Sequence, residues 1–149
     1  MALTLVEANR MVQAAINKAN ELNVKVNIVV CDAGGNLLAL NRMEGASAVS
    51  PNVSQGKAAA SAGFGRPSGA LQADYPVIQT IIANIGGRML SAQGAVPLHK
   101  NGELVGAIGG SGATLKRMKS VRRPDRPSSE EDSCQLAQWQ FTHVAVIIR

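Results

Sequence analysis

Lys57 and Arg66 are the two cations close to a helix break at Gly63-Phe-Gly-Arg-Pro-Ser68. Two cations so placed would hold a carboxylate or a propionate through charge-assisted hydrogen bonds. The structural alternative is a solvated lysine and an arginine that caps the helix. Asp32 opens the stretch Asp32-Ala-Gly-Gly-Asn36, where it either bonds turn amides or points into a site. Arg42 and Glu44 stand two apart on an extended segment and so share a face. They would pair with each other or with a neighbouring subunit, or bind an anion. In an enzyme acting on a hydroxy acid, an aldehyde or a related carboxylate, Asp32 or Glu44 would be the acid/base. Lys57 and Arg66 would then hold the carboxylate. His99 lies beside a hairpin turn, as an exposed turn residue or as a ligand.

Standard catalytic and cofactor signatures are missing. The chain has no Gly-x-Ser-x-Gly elbow, phosphate loop or metal-binding cluster. The glycines at 106–112 lack the spacing of a dinucleotide fingerprint. Cys31 and Cys134 make neither a disulfide framework nor a zinc site, and Cys31 reads as a buried residue ending a strand. The net charge of +5 suggests nucleic acid or a membrane surface, but its distribution argues otherwise. Residues 1–114 carry eight Lys/Arg against six Asp/Glu, whereas residues 115–149 carry seven against four. Before the tail only Phe64 and Tyr75 are aromatic, too few for base stacking. No apolar run reaches membrane-spanning length and no signal peptide is evident, so a cytoplasmic protein is expected.

The elements that must position these side chains follow from local pattern. Thr4-Leu-Val-Glu7 is a capping box, and Leu5, Ala8, Met11, Val12, Ala15, Ile16 and Ala19 give the following helix one apolar face. Val24, Val26, Ile28 and Val30 form the apolar face of a strand, and Leu37–Leu40 return as its antiparallel partner. Ser50 caps a helix with Pro51 in its first position, running to about Ala62. Its small side chains at 58–62 allow close approach by another helix. Pro76 to Asn84 is a further short helix, and Met89 to Ala92 a strand. Asn101-Gly102 is a tight hairpin turn, and Leu104 to Ile108, apolar on both faces, belongs in the middle of a sheet. The expected architecture is α+β, an antiparallel β-sheet flanked by helices in the order α-β-β-α-α-β-β-β.

Asp-Ala-Gly-Gly-Asn, Arg42-Met-Glu-Gly-Ala, Lys57-Ala with Phe64-Gly-Arg-Pro-Ser, and Pro97-Leu with Gly102-Glu-Leu-Val-Gly-Ala-Ile-Gly occur in one order. In that order they resemble the GlcG/HbpS-like proteins, which include haem-binding HbpS proteins and the C-terminal domain of PduO. The resemblance covers roughly residues 3–114 and implies a profilin-like sandwich assembled as a homo-oligomer, a tetramer or octamer. It implies a haem or tetrapyrrole ligand, with Arg42, Lys57 and Arg66 on the propionates and Phe64 against the ring. The iron ligand would be His99, Met43 or a hydroxyl. A hydroxy-acid or aldehyde enzyme and an oligomeric scaffold are the other roles the sequence allows.

The tail, 115–149, departs from that pattern. Where relatives continue into an acidic helix, Leu115-Lys-Arg-Met-Lys-Ser-Val-Arg-Arg-Pro-Asp125 is basic and aperiodic. One reading is a frame-shifted tail, since a compatible choice of codons read two bases later gives Glu-Lys-Asp-Glu-Glu-Cys-Ala-Gln-Ala-Gly. The other is a genuine tail, with Ser128–Asp132 capping a helix and Thr142–Ile148 adding a strand.

Overall fold

The computed structural model describes residues 2–112. The expectations for 115–149 lie outside these residues. Helix α1 (Leu5–Glu21) begins at the expected capping box: Glu7 N–H donates to Thr4 Oγ1, and Thr4 N–H donates to Glu7 Oε2. Ala8, Val12, Ala15 and Ala19, at three- and four-residue spacing, form its buried stripe.

Strands β1 (Asn27–Asp32), β2 (Leu37–Arg42), β3 (Ala95–Lys100) and β4 (Glu103–Ser111) make one sheet in the order β2-β1-β4-β3. Every neighbouring pair is antiparallel. β4 therefore occupies a central position, as its two apolar faces require. Asn101 and Gly102 both have positive φ (52° and 78°), the geometry of the tight hairpin turn. β1 is also central and is covered on both faces rather than one. Ile28 and Val30 join the cluster under α1, and Val29 and Cys31 pack with Ala58 and Ala62 of α2 (Ser50–Phe64). Bulges displace the register between Val30 and Cys31 and between Leu98 and His99.

α2 lies flush on the sheet because both surfaces are small. A Cβ at Gly109 would stand 2.7 Å from the Ser54 carbonyl oxygen, so only glycine admits α2 at that height. Ser50 is the first helical residue rather than the cap, and Gly65, with φ 61°, ends the helix. A short 3-10 helix at Ser68–Ala70 and helix α3 (Pro76–Asn84) follow.

The strand expected at Met89 to Ala92 does not form. Leu90 N–H donates instead to the Gly56 carbonyl at 2.9 Å, tying this segment to α2 rather than to a strand edge. The order among the described residues is thus α-β-β-α-α-β-β, apart from the 3-10 turn, and the fold is α+β with helices on an antiparallel sheet. Pro97 falls in β3, an edge strand, where its missing N–H disrupts no central ladder. Within these residues no helix is long and apolar enough to cross a membrane.

Candidate functional site

Three chain segments converge on an open cleft of about 770 Å³. The first is the β1–β2 turn, which contributes Gly34, Gly35, Asn36 and Leu37. Asp32 holds it: Asn36 N–H donates to Asp32 Oδ1 at 2.8 Å, and Asn36 Nδ2 to Oδ2 at 3.1 Å. Gly35 adopts φ 79° and lies so close to α2 that a Cβ there would be 3.4 Å from Ala59 Cα. The second segment is the α2 face carrying Asn52, Val53, Gln55, Gly56 and Ala59. The third is the chain after α3, with Ile85, Gly87, Arg88, Met89 and Leu90. Gly86 and Gly87, at φ 73° and 70°, turn it back over α2, and the Leu90–Gly56 hydrogen bond fastens it there.

The lining is mixed in character. Leu37, Val53, Ile85 and Leu90 offer apolar walls, and Asn36, Asn52 and Gln55 offer amide donors and acceptors. Arg88 supplies the positive charge and forms no ion pair among the described residues. Met89 carries a thioether, a ligand type suited to a transition metal, and its side-chain end lies against Gly63. No three His, Cys, Asp or Glu side chains among the described residues gather as a metal site.

The residues singled out from sequence do not line this cleft. Asp32 borders it through its turn, where its carboxylate is occupied by Asn36. Arg42 sits at the far end of the β1–β2 hairpin, opposite Asn27, and donates to the Ala46 and Ser47 carbonyls. Glu44 is exposed in the connection from β2 to α2. Lys57 is half-buried, with Nζ donating to the Gly110 carbonyl at 3.4 Å, and burial pushes its pKa down. Phe64, half-buried, ends α2. Arg66 is exposed, and its carbonyl accepts from Ser61 Oγ at 2.8 Å. His99 is exposed on β3 opposite Leu104. The four groups of the acid/base scheme, Asp32, Glu44, Lys57 and Arg66, are therefore not gathered around the cleft. The sequence reading passed over Asn52, Gln55, Arg88 and Met89. The Gly86-Gly87 pair before Arg88 was the one local sign of a forced turn there.

Residues 3–118 match the family model of the haem-degrading HbpS-like proteins. The chain belongs to this family. The HbpS-like chain is 34% identical over 119 residues to an uncharacterised 15.0 kDa protein of Citrobacter freundii from the dhaT–dhaS intergenic region. That match covers 77% of this chain and 83% of the relative. Among solved structures, Klebsiella pneumoniae ORFY is 31% identical with a TM-score of 0.67, covering 77% of this chain and 81% of that one. A PduOC–haem complex shares the fold at 24% identity and a TM-score of 0.69, over 78% of this chain and 87% of that one.

Proposed function

We propose that this HbpS-like chain is a small-molecule binding protein whose cleft takes an amphipathic, carboxylate-bearing ligand of the haem or tetrapyrrole class. The observation that carries the reading is the cleft itself: apolar walls, three amide side chains and the Arg88 guanidinium around about 770 Å³. The family description and the PduOC–haem complex support the ligand class. The lining suits such a group. Leu37, Val53, Ile85 and Leu90 would meet its apolar body, Arg88 a propionate, and the Met89 sulfur is of a type that ligates iron. Arg42, Lys57, Phe64, Arg66 and His99 lie outside the cleft, so the proposal rests on Arg88 and Met89 instead. Binding is favoured over acid/base chemistry because Asp32 is committed to its turn and Glu44 lies elsewhere.

A homo-oligomer remains part of this reading. Exposed Val49, Tyr75 and Val77 are apolar surface that a second copy would cover, and sedimentation velocity measures the assembly.

The test is a haemin titration followed by absorbance on the full chain, Arg88→Gln and Val53→Trp. Stoichiometric binding with a shifted Soret band is expected in the parent. Arg88→Gln should weaken it roughly tenfold, the worth of one charge-assisted hydrogen bond. Val53→Trp should block it while circular dichroism stays unchanged. Full-strength binding by both variants would remove the cleft from the account.

A further inference from the structure

Four lysines fall among the described residues, and their surroundings differ sharply. Lys18 Nζ pairs with Glu21 at 2.7 Å, and Lys100 Nζ pairs with Glu7 at 2.8 Å. Lys25 is exposed. Lys57 alone of the four is half-buried without an acidic partner, its Nζ making one long contact, 3.4 Å, to the Gly110 carbonyl. Beneath it two glycines meet, Gly110 N–H donating to the Gly94 carbonyl at 2.7 Å. A Cβ at Gly94 would stand 3.0 Å from Nζ, so the bare glycine backbone borders the amine. Gly94 holds φ 127°, which keeps larger residues out of that position.

We propose that Lys57 is a reversible covalent capture site for small aldehydes, its amine held over the Gly94–Gly110 backbone with no carboxylate among the described residues to hold it as an ammonium ion. Desolvation works in the same direction, because burial disfavours the charged form and pushes the Lys57 pKa down. The neutral amine is the nucleophile. Lys57 first gives one proton to water. The Nζ lone pair then forms a bond to the carbonyl carbon, and the carbonyl oxygen takes up a proton as nitrogen loses one, giving a carbinolamine. Loss of that hydroxyl as water leaves the imine. The sum is amine plus aldehyde giving imine plus water, with no oxidant or reductant.

The experiment is reductive trapping on the full chain near neutral pH with propionaldehyde and sodium borohydride. The hydride adds to the imine carbon and fixes the adduct, and peptide mass spectrometry reads each lysine separately. Lys57 should carry at least about tenfold more adduct than Lys18, Lys25 or Lys100. In urea the preference should vanish, because it belongs to the folded surroundings. Lys57→Arg should lose the adduct from that peptide without changing circular dichroism. Equal labelling of Lys57 and Lys25 in the folded parent would overturn the proposal, and so would a preference that survives urea. These readouts come from the parent chain and do not depend on haemin binding in the cleft.

Discussion

Lys100 Nζ lies 2.8 Å from Glu7 Oε1, joining the end of β3 to the first turn of α1. Glu7 also closes the capping box, so a single carboxylate anchors helix start and hairpin together. The Lys100 hydrogen bond, followed by the bonds from Thr4, holds the Glu7 carboxyl at about 2. Its folded pKa is below the unfolded value of about 4.3. The stabilisation is therefore present above that value and lost as pH falls toward the folded one. Glu7→Gln should cost about 1 kcal/mol in urea melts at pH 7. The difference between variant and parent should be mostly gone by about pH 2.

The seat of α2 on the sheet is testable through Gly109. Its added Cβ would press on the Ser54 carbonyl oxygen at 2.7 Å and on Ala58 Cβ at 3.2 Å, both within the helix. Gly109→Ala should lower stability by about 1–3 kcal/mol, the usual cost of overpacking. Gly87→Ala has open space around it, with only its φ of 70° to resist the side chain. It should cost no more than roughly 1–2 kcal/mol. Chemical denaturation of the two variants compares them directly.

Asn27 is wholly buried, and its Nδ2 donates to Ser54 Oγ while Oδ1 finds no partner among the described residues. Removing the hydroxyl with Ser54→Ala should cost about 1–3 kcal/mol, because a buried amide donor is then stranded. Asn27→Val combined with Ser54→Ala should recover most of that loss, since the whole polar pair is gone. A double-mutant cycle by urea unfolding gives the coupling. A double variant as weak as Ser54→Ala would show that the pair is not the source.

Cys31 is fully buried, and burial pushes its thiol up to about 11, with Sγ set 3.6 Å from the Ala107 carbonyl. Thiolate is the reactive form, so Cys31 should resist a disulfide reagent at pH 8 in the folded protein. It should react within minutes in urea. Peptide mapping distinguishes it from Cys134.

Local pattern made most of the framework legible. The capping box at Thr4, the Asn101-Gly102 turn and the helix Pro76–Asn84 depend on residues near one another in sequence. The doubly apolar run of β4 announced its central place for the same reason. Met89 to Ala92 misled because its apolar content fits a strand, while the backbone bond that decides it comes from Gly56. The cleft was illegible for a related reason. Asn36, Gln55 and Arg88 become neighbours only once Gly86 and Gly87 reverse the chain. Arg42, Lys57 and Arg66, singled out by residue type, lie along the hairpin end, the sheet face and the helix exit.

Pro97 gives the sheet a direction of growth. Of the two rims of the described sheet, β3 lacks a donor at that position and β2 contains no proline. Strand-by-strand extension into a fibre needs two competent rims on every molecule. With β3 blunted at Pro97, joining of described edges is favoured β2 against β2, and such a contact uses both unblunted edges and closes after a single pair.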